Sequence, residues 1–246
     1  MRKWLAATTL ALMTPLAQAG STSTHWTYEG VEGPTHWADL DPQFAACKGA
    51  EQSPIDLNSG AIAADIHPPA IYWHPADVTS TTNNGHTFQV GLDAPGKIVV
   101  DGVTYKFLQF HFHAGSEHTM HGTRYPLEVH LVHASDDGRL AVIGILFQQG
   151  RENQALADLI SALPGTVGGY DPDMTFDLND LLPGGWDVYR YEGSLTTPPC
   201  SEIVDWTVFE KPLTASADQI AVFETLFPHS YRPVQDRGRR FVLKSN

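Results

Sequence analysis

Cysteine is almost missing: among 246 residues only Cys47 and Cys200 occur. No Cys-x-x-Cys pair is present, so a thiolate metal site of that kind is excluded. In a reducing cytosol two such distant cysteines would be buried thiols. In an exported protein an even pair reads as one bridge, worth roughly 4–5 kcal/mol in the chain-entropy model for so long a loop. Basic residues are also scarce, 15 against 28 acidic. The formal charge of −13 repels nucleic acid and anionic lipid, so neither is an expected partner. No apolar run reaches the length of a membrane span, and no repeat, low-complexity tract or linker interrupts the chain.

At the N-terminus, Met1-Arg2-Lys3, an apolar run through Leu16 and Ala17-Gln18-Ala19 describe a secretory signal peptide over 1–19. Its removal would take the charge from −13 to −15, because Arg2 and Lys3 are lost and no acid goes with them. The rest, 20–246, is long enough for one large core and is expected to be one domain. From Gly20 to about Pro54, turn formers alternate with Trp26, Tyr28 and Trp37, which need somewhere to bury. Ile55 is expected to open a first strand.

Beyond it, short apolar runs split by Gly, Pro and Asn predict strands at Ile71–Trp73, Thr87–Leu92, Lys97–Val100, Val103–His113, Leu127–Ala134 and Leu140–Phe147. Asp101-Gly102 signals a hairpin. In Val103–His113, alternation puts Val103, Tyr105, Phe107, Gln109, His111 and His113 on one face and Leu108, Phe110 and Phe112 on the other. A helical period predicts a helix over Arg151–Leu163, and Ser216 with Gln219 predicts a capping box opening another that buries Ile220, Phe223 and Phe227. Between them, Trp186–Leu195 and Ile203–Phe209 read as strands. The fold class expected is mainly β: a large, mostly antiparallel twisted sheet with a few short peripheral helices.

Twelve histidines occur, and most are expected to be surface or satisfied core residues. His111, His113 and His130 stand apart. Residues at i and i+2 on a strand share a face, and His130 on the next strand can join them. Three neutral nitrogens with one open position are the ligand set of a catalytic zinc, although no HExxH motif is present. Gln109 shares the face of His111, and Glu128 that of His130. Each can accept the second ring N–H of its neighbour and fix the tautomer.

Gln109-Phe-His-Phe-His113, Ser116-Glu-His-Thr119, Glu128-Val-His-Leu-Val-His133 and Gly193-Ser-Leu-Thr-Thr-Pro-Pro199, in that order, resemble the alpha-class carbonic anhydrases. Gly33-Pro34, Trp37, Gln52-Ser-Pro54 and Asn84-Gly-His86 fit the same family, so the resemblance runs from about Trp26 to Arg232. It implies zinc on His111, His113 and His130, with Gln109 and Glu128 behind them. It implies reversible hydration of CO2 to bicarbonate by zinc hydroxide. Carbonic anhydrase is itself the reference case for a zinc-lowered water pKa of roughly 7, so that figure belongs to the family.

The resemblance further implies a gate in which Thr196 donates to Glu117 and thereby accepts from the hydroxide. It implies an apolar substrate wall of Val132, Val142, Leu195, Val204 and Trp206, with Thr197 at its polar edge. His86 takes the proton-shuttle position, with Tyr28, Asn84 and Gln89 along the water path. His118 is read as structural, beside Glu128 and Tyr191. Ser230, often Asn in animal members, is expected to support His113 through its carbonyl. Cys47 and Cys200 match the disulfide of exported members, which implies a periplasmic or secreted protein, and bacterial members suggest a homodimer. Two rival readings are a catalytically silent binding module on the same fold and a metal-dependent esterase.

Overall fold

Pairing of the β-branched and aromatic runs builds one large sheet, whose central strands Leu127–Ala134 and Leu140–Gln149 carry apolar side chains on both faces and are covered on both. The structure is a computed structural model that describes residues 24–246; the expected leader over 1–19 lies outside them. Along the sheet the order is Ile62–Ala64, Leu243–Ser245, Val188–Gly193, Val204–Phe209, Leu140–Gln149, Leu127–Ala134, Val103–Ala114, Phe88–Leu92, Ala76–Asn83 and Gly168–Tyr170. Most neighbours run antiparallel. The parallel pairs are Ile62–Ala64 with Leu243–Ser245, and Leu140–Gln149 with both Val204–Phe209 and Leu213–Ala215. The expected mainly β, mostly antiparallel fold is the one observed.

One face of the sheet buries Phe88, Phe110, Phe112 and Phe147 beneath the helices Gln154–Ser161 and Ala217–Leu226. Asn153 caps the first helix through its side chain, and Ser216 with Gln219 forms the expected capping box on the second. The other face carries Val132, Val142, Tyr191, Val204 and Trp206. The lead-in packs Trp26, Tyr28 and Phe44 around Trp37 and the Cys47–Cys200 bridge, whose Cα atoms lie 4.9 Å apart.

Three expectations need correction. Ile55 opens no strand: Asp56 makes an isolated bridge to Thr119, and the first strand is Ile62–Ala64. Ala76–Asn83 is a strand that was not expected, since its Thr and Ser residues mask a β-branched run. The third concerns Val103–Ala114. Phe107 pairs with His133 and Gln109 with Val132, so Leu108 is left over in a β-bulge and is 52% exposed. One extra residue reverses the alternation. Tyr105 and Phe107 therefore lie on the phenylalanine face rather than the histidine face: Tyr105 is buried in the same core cluster as Phe110 and Phe112, and the Phe107 ring lies 6.4 Å from that of Phe110.

Candidate metal centre

Strand register assembles the site. Cα partners in a sheet share a face, so His111 opposite His130, and His113 opposite Glu128, put all four side chains on one side. One row along, Gln109, Val132, Val142, Trp206 and Tyr191 follow each other across five strands. Gly144 stands opposite His130. A Cβ there would lie 3.0 Å from Glu128 Oε1, so glycine keeps open the space that the carboxylate occupies.

The hydrogen bonds decide which ring nitrogens carry protons. His111 Nδ1–H donates to Gln109 Oε1 at 2.9 Å, His113 Nδ1–H to the Ser230 carbonyl at 2.6 Å, and His130 Nε2–H to Glu128 Oε1 at 2.9 Å. Every acceptor is an oxygen, which leaves His111 Nε2, His113 Nε2 and His130 Nδ1 with bare lone pairs. The three histidines offer nitrogens that all lie within 4.8 Å of one another. Burial holds His111 well below the ordinary histidine pKa, with the neighbouring His113 and His130 adding to the effect. Burial also lowers His113, against the pull of Glu117. Neutral imidazoles are what a metal ion requires.

His113 Nε2 and Glu117 Oε2 are both buried without a hydrogen-bond partner. They lie 3.4 Å apart, and Glu117 Oε2 is 3.9 Å from His130 Nδ1. An acceptor facing acceptors is unfavourable unless a cation or a donor completes the group. The residues present therefore fit a divalent metal ion. A second trio, His118, Glu128 and His130, is also close together, but its atoms already bond one another. Burial acts to raise Glu128, yet the His118 and His130 imidazoles outweigh it and hold the carboxyl well below its usual range. His118 Nε2 continues this network to the Tyr191 hydroxyl at 2.7 Å, and that oxygen lies 2.9 Å from Ser53 Oγ.

Residues 32–246 match the family model described as eukaryotic-type carbonic anhydrase. The chain belongs to that family. The carbonic anhydrase of Pectobacterium atrosepticum is 38% identical over 95% of this chain and 96% of its own. The solved structure of the alpha-carbonic anhydrase from Thermovibrio ammonificans, in complex with the inhibitor sulfanilamide, is 43% identical. It covers 90% of this chain and 99% of its own with a TM-score of 0.87. Dioscorin, solved in complex with ascorbate, shares the fold at 32% identity and a TM-score of 0.83, covering 89% of this chain and 97% of its own. Members of the carbonic anhydrase family hydrate CO2, and these residues would serve that chemistry.

The residues expected to form an apolar wall, Val132, Val142, Val204 and Trp206, are buried together, with Leu195 packed against them. Thr197 is half-buried, and its carbonyl accepts from Cys200. Thr196 is buried but makes no side-chain hydrogen bond to Glu117 here; Glu117 Oε1 instead accepts from the backbone N–H of Arg232 at 2.8 Å. Around the half-buried His86, Asn84 accepts from the backbone of His86 and Thr87, and Gln89 stands opposite His111. Burial pushes the Tyr28 hydroxyl well up, and the charge of Glu117 adds to it.

Sequence reasoning left two neighbours out. Trp26 stacks on His86 at 3.8 Å, and its place next to Tyr28 in the aromatic lead-in was the available signal. Gly144 had none beyond being a glycine inside a strand.

Proposed function

We propose that the chain catalyses zinc-dependent, reversible hydration of CO2 to bicarbonate and a proton, and that one catalytic domain spans 20–246. The observation that carries this is the trio of bare, converging imidazole nitrogens beside a buried, unpartnered carboxylate oxygen. Zinc bound there supplies a Lewis acid that makes hydroxide available near neutral pH. His111, His113 and His130 would hold it, and Gln109, Ser230 and Glu128 keep their tautomers fixed.

Glu117 Oε2 lacks a partner and is free to accept the Thr196 hydroxyl hydrogen once a metal is bound, which would turn a threonine acceptor toward the reacting group. Val132, Val142, Leu195, Val204 and Trp206 give uncharged CO2 an apolar wall that does not compete for it by hydrogen bonding. His86 accepts the released proton and passes it to buffer. Stacking on Trp26 holds its ring, and burial, with His25 nearby, lowers its pKa so that the neutral form is present at pH 7. The Cys47–Cys200 bridge supports export to the periplasm or the medium.

The dioscorin likeness keeps a silent binding module in view, because a fold hosts more than one function. The full set of His111, His113, His130, Glu117 and Thr196 favours the enzyme. Stopped-flow CO2 hydration by the purified, the metal-stripped and the zinc-restored protein tests it. Activity is expected to vanish with the metal and return with zinc; zinc uptake without hydration would select the binding module.

A further inference from the structure

We propose that Arg232 is a positioning residue that locks the metal centre to the disulfide-bearing lead-in. Its guanidinium is 1% exposed and planted in neutral oxygens: Nη1 donates to Gln52 Oε1 at 2.8 Å and Ser53 O at 2.9 Å, and Nη2 to Cys47 O at 3.0 Å. Its Nε has no partner. Among the described residues no carboxylate touches it, and burial pushes it down to about 10, so the cation persists at neutral pH. A buried cation of this kind is a poor way to stabilise a fold; a well-packed apolar side chain would cost less. What it does is local. The backbone N–H of Arg232 is the donor that orients Glu117, and two residues earlier Ser230 receives His113 through its carbonyl and the Ala114 N–H through its hydroxyl.

The other end of the clamp reaches both halves of the bridge. Arg232 bonds the Cys47 carbonyl directly, and Gln52, its partner, donates to the Cys200 carbonyl at 3.2 Å. A connected set of hydrogen bonds thus runs from Cys47 and Cys200 through Gln52 and Arg232 to Glu117 and His113. Outer partners of metal ligands act through ligand orientation. The bridge therefore governs the grip on the metal through Arg232, not only the stability of the chain.

This rests on reading His113 and Glu117 as parts of a zinc centre. Five proteins test it: the native chain, Arg232→Met, Arg232→Lys, the double variant Cys47→Ala/Cys200→Ala, and that double variant carrying Arg232→Met. For each, the rate of zinc loss to dipicolinate and the visible spectrum after cobalt replacement are measured. Arg232→Met is expected to release zinc about 10–100-fold faster and to shift the cobalt bands, with Arg232→Lys recovering part of the loss. In the bridge-free background Arg232→Met adds little, no more than about twofold, because the clamp has already lost its anchor. Native-like zinc loss and spectrum in Arg232→Met would overturn the proposal, and so would effects of bridge and arginine that simply multiply. Should Arg232→Met not fold, Gln52→Leu, which removes the Arg232–Gln52 bond and the link to Cys200 but leaves the bond to Cys47, is expected to move both readouts the same way, and no change would refute the link. Failure of the native protein to take up zinc would instead refute the reading on which this one stands.

Discussion

Replacing Glu128 by the isosteric glutamine isolates the electrostatic logic of the centre. Glu128 is fully buried and accepts four hydrogen bonds, with no donor of its own. His118 Nδ1 and His130 Nε2 bond Oε1 at 2.7 and 2.9 Å; the backbone N–H groups of Glu117 and His118 bond Oε2 at 2.8 and 2.9 Å. Glutamine brings two hydrogens to one side of this arrangement. Aimed at the backbone, its amide faces two N–H groups that have nowhere else to go. Aimed at the imidazoles, it can be accepted by His118 only if that ring changes tautomer and donates to Tyr191, while His130 Nε2–H still meets a donor. The least costly arrangement loses one charge-assisted bond, weakens the others and crowds two donors. With about 1.5–3 kcal/mol per such bond, Glu128→Gln is expected to cost about 3 kcal/mol. Denaturant unfolding of the metal-free protein measures this apart from the metal, and chelator competition then gives zinc affinity, expected to fall about 10–100-fold. A variant within about 1 kcal/mol of the native protein and with unchanged zinc affinity would refute the reasoning.

His133 gives a pH prediction. It is buried in the core, accepts from Trp73 Nε1 at 3.2 Å, and burial pushes its pKa down to about 4. The unfolded chain protonates this residue near the ordinary value of about 6.5, so between the two values the unfolded state holds the extra proton. Its contribution of about 3 kcal/mol is complete above pH 6.5 and is lost as pH falls toward 4; His133→Phe should flatten that part of the stability profile, and an unaltered slope would assign it elsewhere. The bulge at Leu108 predicts a sharp contrast on one strand: Leu108→Lys should change unfolding free energy by less than about 0.5 kcal/mol, and Phe110→Ala should cost about 3–5 kcal/mol. Equal costs would mean that Leu108 is packed. His86→Ala should slow turnover at low buffer concentration and be rescued by imidazole; indifference to both would remove His86 from the proton path.

The three histidines were legible because period-2 alternation and short-range register carry most of the information about one face of adjacent strands. The capping box at Ser216 was legible for the same reason: its bonds span three residues. What escaped the sequence depends on particular longer-range fits. The bulge at Leu108 leaves alternation intact on either side and breaks it in the middle, so Tyr105 and Phe107 were assigned to the wrong face. Ala76–Asn83 hid behind Thr and Ser, whose hydroxyls resemble loop chemistry although the branching of Val78 and the threonines suits a strand. Gly144 matters only because Glu128 leans across from the neighbouring strand. Arg232 is separated by 115 residues from the Glu117 carboxylate that its backbone holds, and no local pattern announces such a contact.

Anomalous diffraction at the zinc edge from crystals of the zinc-loaded protein tests the central claim most directly. A single strong peak is predicted at about 2.0–2.1 Å from each of His111 Nε2, His113 Nε2 and His130 Nδ1. A peak bound through other atoms, or no peak in protein that hydrates CO2, would contradict the account.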